Sequence, residues 1–271
     1  MSPDDGNRAA WEARSQHYGV SWRSVLFKGL PDGVNAHLHQ WHTQFLLQHI
    51  LPKPHLRILD VGCGYGRLTL PILQQFPDAE VVGMDISATF VDLFQQTTSQ
   101  KAILGSLEAL PPCLGQFDYI LCVTVLMYVQ EPHLQEALQH LLDLLRPGGA
   151  LLLIENDAVG VCCAFGLLSG VKKLFRKEAV ETTVQIFKQR TIRQLVAGCQ
   201  AVIGQQRGLP FTTFSLLPLT LLFAVCPRFF VHEFCLWILA WLDQLGGAFP
   251  LPSLYVGYVI MRRASSIAPS H

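Results

Sequence analysis

Between Leu56 and Glu155, short apolar runs alternate with stretches of helical periodicity. Arg57–Val61 (RILDV), Glu80–Asp85 (EVVGMD), Phe117–Val123 (FDYILCV) and Ala150–Glu155 (ALLLIE) read as buried strands. Helical segments over Arg67–Phe76, Ala88–Gln100 and Glu131–Leu145 separate them. Strands that alternate with helices of this length build βαβ units, and those close into a mostly parallel, doubly wound sheet. Further on, Arg190–Cys199 reads as a helix, and Ala201–Arg207 and Leu254–Met261 as strands. Before this region, Trp11–Pro31 is aromatic-rich and reads as irregular, and Asn35–Leu51 as a helix stopped by Pro52 and Pro54. The expected organisation is an N-terminal cap (1–54), a core (55–156), a lid insertion (157–189), completion of the sheet (190–263) with an apolar insertion (209–250), and a flexible tail (264–271).

The chemistry concentrates at the end of the first strand. In Leu59-Asp60-Val61-Gly62-Cys63-Gly64-Tyr65-Gly66, glycines at alternate positions lie between a strand and a helix. They permit positive φ and close approach of backbone to a ligand, and a helix N-terminus adds unpaired N–H donors. Asp60 precedes the glycines, where a phosphate ligand would gain nothing from a second anion, so a ligand with positive charge fits better. Asp85 ends the next strand, where an acidic side chain can accept from a ribose diol. No GxxxxGK[ST] pattern occurs, which disfavours a nucleoside triphosphate.

As a set, ILDVGCGYGR, VVGMDIS, GSLEALP, FDYILCVTVL and LLRPGGALLLIE resemble the class I S-adenosylmethionine-dependent methyltransferase family in order and spacing. The resemblance covers roughly half of the chain. It implies a seven-stranded Rossmann-like sheet with the last strand antiparallel, and a cofactor, S-adenosylmethionine, released as S-adenosylhomocysteine. It implies that Asp60, Gly62, Cys63, Gly64 and Gly66 face the methionine part, Asp85 the ribose, and Ile86, Ser106 and Leu107 the adenine. Val123 and Thr124 would lie beneath the sulfonium. Family members commonly carry Asp where Ser106 stands; serine is a neutral, weaker acceptor, with Glu108 a near alternative.

Candidates for the transfer itself are fewer. His37 and His42, on the helix after Asn35, are candidate general bases near neutral pH, with a satisfied core histidine as the bland reading. Tyr128 is a third catalytic candidate. Tyr18 is expected to cover the methionine end of the cofactor, and Trp22, His133 and Glu155 to touch the acceptor. No metal site is expected, since the His spacing offers no convergent set.

Twenty basic and 20 acidic side chains balance, and the charged fraction is 15%. With apolar rather than basic insertions, nucleic acid is not expected as a partner. Eight scattered cysteines without a CxxC pair, and no apolar leader in Met1–Ala10, give a reducing cytoplasm as the expected setting. The mean hydropathy of +0.31 is high for a soluble chain. The excess lies in Leu209–Leu242, where Arg228 and Glu233 are the only charges. Pro210, Pro218 and several hydroxyl residues interrupt it, so it reads as an apolar lid over the acceptor site. The basic cluster Lys172, Lys173, Arg176 and Lys177 fits an anionic surface or a solvated helix face. The leading expectation is methyl transfer to a small, partly apolar acceptor. Alternatives are a lipid-like or peptide acceptor with peripheral membrane contact, and a non-catalytic cofactor-binding module. The oligomeric state is not readable.

Overall fold

The computed structural model describes residues 3–111, 114–165, 185–225 and 229–263. Seven strands form one sheet: β1 (Arg57–Val61), β2 (Glu80–Asp85), β3 (Ala102–Leu104), β4 (Phe117–Val123), β5 (Leu145–Asn156), β6 (Ala201–Gly208) and β7 (Tyr255–Arg262). Their order is β3-β2-β1-β4-β5-β7-β6. The first five run parallel, and β7 is antiparallel to both β5 and β6. The doubly wound sheet and the antiparallel last strand are as expected; β3, only three residues long, carries too little pattern to be read from sequence.

Strand alternation sends successive side chains to opposite faces. Along β5, Leu151 and Leu153 pack into one core layer, and Leu152 and Ile154 into the other. All four are fully buried, each contributing roughly 1.5–3 kcal/mol relative to exposure. One layer lies under α6 (Leu134–Asp143) and α8 (Gln189–Gly198). On α6, Leu134, Ala137, Leu138, Leu141 and Leu142 form a stripe at helical spacing. The other layer lies under α3 (Asp32–His49), α4 (Thr69–Gln75) and α5 (Ala88–Thr98) through Leu38, Phe45, Ile72 and Phe94.

The N-terminal region differs from expectation. Trp11–Pro31 is largely helical: α1 runs Pro3–Tyr18 and α2 Trp22–Val25. Tertiary contacts support α1, since Trp11 packs edge-on against Tyr128 (5.4 Å) and at a tilt on Phe90 (6.3 Å). The apolar stretch becomes two helices, α9 (Pro210–Val225) and α10 (Phe229–Gly246), with α9 against α7 (Ala158–Phe165) and α10 against α3. No described helix is long and apolar enough to cross a membrane. The basic cluster Lys172, Lys173, Arg176 and Lys177 lies outside the described residues.

Candidate active site

After β1, Gly62, Gly64 and Gly66 take φ of +66°, +53° and +87°, the left-handed region that favours glycine. A side chain at Gly62 would also collide with Val125, and one at Gly66 with Thr98. The N–H groups of Gly62 and Cys63 donate to the Met84 carbonyl (2.7 and 3.1 Å), fixing the turn to β2. The Gly64 N–H donates to Asp85 Oδ2 (2.9 Å) and the Ser87 N–H to Asp85 Oδ1 (3.0 Å).

Asp60 and Asp85 end β1 and β2 and are both buried. Burial pushes the Asp85 carboxyl up to about 6, against the hydrogen bonds from Ser87 and Gly64. Burial likewise pushes Asp60 up to about 6, opposed by the Thr69 hydroxyl (2.7 Å) and by nearby Arg67. Both therefore remain ionised at neutral pH with acceptor capacity left for a ligand.

These groups open onto a cavity with about 960 Å³ of space free of protein atoms, its mouth included. Asp60, Gly62, Cys63, Gly64, Asp85, Ile86, Ser106, Leu107, Val123 and Thr124 all line it, as does Tyr128. Gly66 stands behind the wall, shaping the turn. Among the residues that sequence reasoning missed are Asn7 and Trp11 of α1, Val25 of α2, Arg67 and Leu68 after the turn, Phe90 on α5, and Val125 and Val129. Glu108 also faces the cavity, its Oε1 accepting from the Gln130 N–H (2.9 Å). The Trp11 aromatic and the one cation beside the glycine turn were the available signals for two of them.

Other expected site residues lie elsewhere. Tyr18 packs against His17, with Lys28 over its ring. Trp22 packs on His39 at 4.7 Å. His37 is buried and its Nε2 bonds Thr212 Oγ1 (2.9 Å), away from the cavity. His42 is fully buried, and its Nδ1 accepts from Arg67 Nη2 (3.4 Å). Burial lowers His37 to about 4, and burial with the Arg67 charge holds His42 well below its ordinary value. Neither ring reaches the cavity, so the geometry does not support either as its general base. Tyr128 faces the cavity, but burial pushes its phenol up to about 12, so it stays protonated at neutral pH. His133 is exposed beside Glu136 (3.9 Å) and outside the cavity. Glu155 is buried beneath the site, where its Oε1 accepts from the Leu126 N–H (2.8 Å). It holds the turn that leads to Tyr128 and is not among the residues that line the cavity. The apolar helices α9 and α10 contribute no lining residue among those described, so the expected lid over the acceptor site is not formed by them.

A family model described as a methyltransferase domain matches residues 58–149. Over this segment the chain is similar to a methyltransferase domain. A solved mycolic acid cyclopropane synthase, complexed with SAH and CTAB, shares the domain's fold at a TM-score of 0.62 and 13% identity, covering 96% of this chain and 98% of that one. An uncharacterised methyltransferase of Schizosaccharomyces pombe is 29% identical over 148 residues, 48% of this chain and 52% of the relative. A tRNA U34 carboxymethyltransferase of Saccharophagus degradans is 33% identical, over 49% of this chain and 43% of the relative. The chain spans about half the length of the curated relatives it matches.

These relatives correct one expectation. Nucleic acid was set aside on charge, yet a Geobacter relative is also named a tRNA U34 carboxymethyltransferase, and a human one a tRNA N(3)-cytidine methyltransferase. Net charge reports the whole surface, and a domain of this family can belong to a tRNA-modifying enzyme without carrying the RNA-binding charge itself. Other relatives are named for small molecules: trans-aconitate 2-methyltransferase of Deinococcus radiodurans and demethylmenaquinone methyltransferase of Symbiobacterium thermophilum.

Proposed function

We propose that the protein is an S-adenosylmethionine-dependent methyltransferase. One observation carries this reading: the buried carboxylates of Asp60 and Asp85 flank a left-handed triple-glycine turn and open into one cavity. Asp85 suits a ribose diol, Asp60 the cationic amino-acid end, Ile86 and Leu107 the adenine faces, and Val123 and Thr124 the reacting end. The cofactor supplies an electrophilic methyl group on a sulfonium. The chain's part is alignment and exclusion of water. Trp11, Asn7 and Val25 bring the N-terminal cap, residues 1–54, over the cavity. Among the described residues the lining offers no histidine, which favours an acceptor that reacts without a strong protein base.

The preferred acceptor is a small, partly apolar molecule, matching a lining in which Trp11, Leu107, Phe90, Val125 and Val129 recur. A lipid-like acceptor is the second reading, favoured by the outer face of α9 and α10. Phe214, Phe234, Trp237 and Trp241 are each more than half exposed there, an apolar surface that suits membrane contact. A cytoplasmic setting goes with either, supported by free thiols at buried Cys63 and Cys122.

Incubation with isotope-labelled methyl donor and separate pools of polar metabolites, lipids and tRNA tests this, read by mass spectrometry. Label is expected in the metabolite or lipid pool, lost in Asp85→Ala. Label confined to tRNA would overturn the small-molecule reading, and label in no pool would favour a non-catalytic module.

A further inference from the structure

Helices α9 and α10 pack against each other and turn an apolar face away from the domain. Leu216, Leu219, Leu239 and Asp243 form their buried side. On the opposite side of α10, Val231, Phe234, Trp237, Trp241 and Leu245 recur at helical spacing and form one stripe. Phe211, Phe214 and Leu221 form a second stripe along α9. The Phe211 ring lies against Gly246 of α10, so close that an added methyl group would strike it, and the two stripes meet there. These side chains are 37% to 66% exposed. The base of the pair is fixed. Asp243 accepts from the N–H groups of Phe211 (2.7 Å) and Thr212 (3.2 Å) and from the Thr212 hydroxyl, which satisfies free donors at the N-terminus of α9. Thr212 Oγ1 also bonds His37 Nε2 of α3 (2.9 Å). A face held this way loses little freedom when something binds it.

At roughly 150–250 Å² for a whole aromatic side chain, the aromatic rings of this face alone leave on the order of 500 Å² in water. The aliphatic side chains carry the total past the roughly 300–600 Å² of a monomer's largest apolar patch. They bring it toward the roughly 800 Å² that each partner contributes to a stable interface. Charge separates the occupants that such a face could have. Helices that lie in a bilayer surface carry Lys and Arg to meet anionic headgroups. Helices α9 and α10 contain neither; their charged side chains are the carboxylates of exposed Glu233 and buried Asp243. An anionic headgroup layer would repel Glu233. The centre of an interface between copies is instead rich in aromatic rings and poor in charge, which is the composition of these stripes.

We propose that this face is a homodimer interface, in which α9 and α10 of one chain pack on the same helices of a second copy. A twofold axis makes one patch meet itself. Passing between Trp237 and Trp241, the axis runs the two α10 helices antiparallel and sets Trp237 against Trp241 of the partner subunit. These rings then form the water-free centre. Glu233 falls toward the rim, away from its own copy, so no like charges oppose each other. Among the described residues neither helix lines the cavity, so each subunit keeps its own site. The lipid-acceptor reading assigns the same face to a bilayer, and the two occupants exclude each other.

Sedimentation equilibrium of the full chain tests the interface, over roughly 0.1 to 100 μM. The wild-type mass is expected to rise from one chain of 30.2 kDa to two and to stop there. Trp237→Glu and Trp241→Glu each place a charge at the centre and are expected to weaken association at least about 100-fold. Far-ultraviolet circular dichroism of both variants is expected to match wild type, because both side chains stand in solvent in the single chain. If either variant fails to fold, amide hydrogen exchange of wild type decides: concentrated protein exchanges more slowly than dilute protein in α9 and α10 and at the same rate elsewhere. Equal exchange at both concentrations overturns the proposal. A wild type that is monomeric at the highest concentration also overturns it, as does a dimer that both variants leave intact. A mass that keeps growing with concentration contradicts the closed twofold pairing. A monomer that floats with phosphatidylcholine vesicles, and no longer does so as Trp237→Glu, gives the face to a bilayer and overturns the dimer.

Discussion

Asp60 and Asp85 are the most informative side chains because burial sets their acidity. Each titrates at about 6 in the folded chain, above the ordinary carboxylate value near 4. Between those values the folded protein binds more protons than the unfolded one. Their contribution to stability is therefore greatest below about pH 4 and declines as pH rises through 6. Ligand binding has the opposite sign, since a cationic end and a ribose both require the ionised acceptors. The affinity for S-adenosylhomocysteine is expected to fall about tenfold per carboxylate from pH 7.5 to pH 5; a flat calorimetric profile would mean that the carboxylates do not face the ligand. Both residues were legible in sequence, because strand ends and glycines fix where they stand. The histidines were not. A helical wheel shows that His42 lies on the apolar side of α3, but not that Arg67 occupies its lone pair. The Glu155 contact was not legible for a related reason: its place at a strand end sets its height in the sheet, not the Leu126 N–H it meets.

Helix α1 is the element on which closure of the cavity depends. Glu12 reaches the N-terminus of α5, accepting from the Ser87 hydroxyl (2.7 Å), the Thr89 N–H (3.3 Å) and the Thr89 hydroxyl. A carboxylate there also meets the positive end of the helix dipole. Burial alone would raise the Glu12 carboxyl, but the bonds from Thr89 and Ser87 outweigh it and hold it below its usual value. At its other end α1 is tied by Asn7 Nδ2, which donates to the Tyr128 carbonyl (3.3 Å). Glu12→Ala is expected to speed amide hydrogen exchange across α1 and to weaken S-adenosylhomocysteine by a few-fold, about 1 kcal/mol for a helix-end carboxylate. Unchanged exchange would show that Trp11 packing alone holds the helix. This element escaped the sequence reading because Pro3–Tyr18 carries polar residues all round and gains its order from neighbours distant in sequence. The βαβ core, whose strands and helices each carry their own periodicity, was legible nearly to its boundaries.

Across the whole molecule, the low charge and high hydropathy turn out to describe an outer surface. On α9, Phe211, Phe214 and Leu221 face outward, and on α10 Phe234, Trp237, Trp241 and Leu245 do, while Leu216, Leu219, Leu239 and Asp243 are buried. Composition locates an apolar surplus in the chain but not the direction in which it points. The site, by contrast, is built by the carboxyl ends of β1, β2 and β4, the glycine turn and residues of α1 and α2, and it is read as the seat of a single ligand. Thermal unfolding with and without S-adenosylhomocysteine tests that most directly. At a hundred times its dissociation constant, a one-site ligand adds about 2.7 kcal/mol, a rise of roughly 5–10 °C for a chain of this size. That rise is expected in wild type and its near loss in Asp85→Ala. No rise at millimolar S-adenosylhomocysteine, or an equal rise in Asp85→Ala, would contradict it.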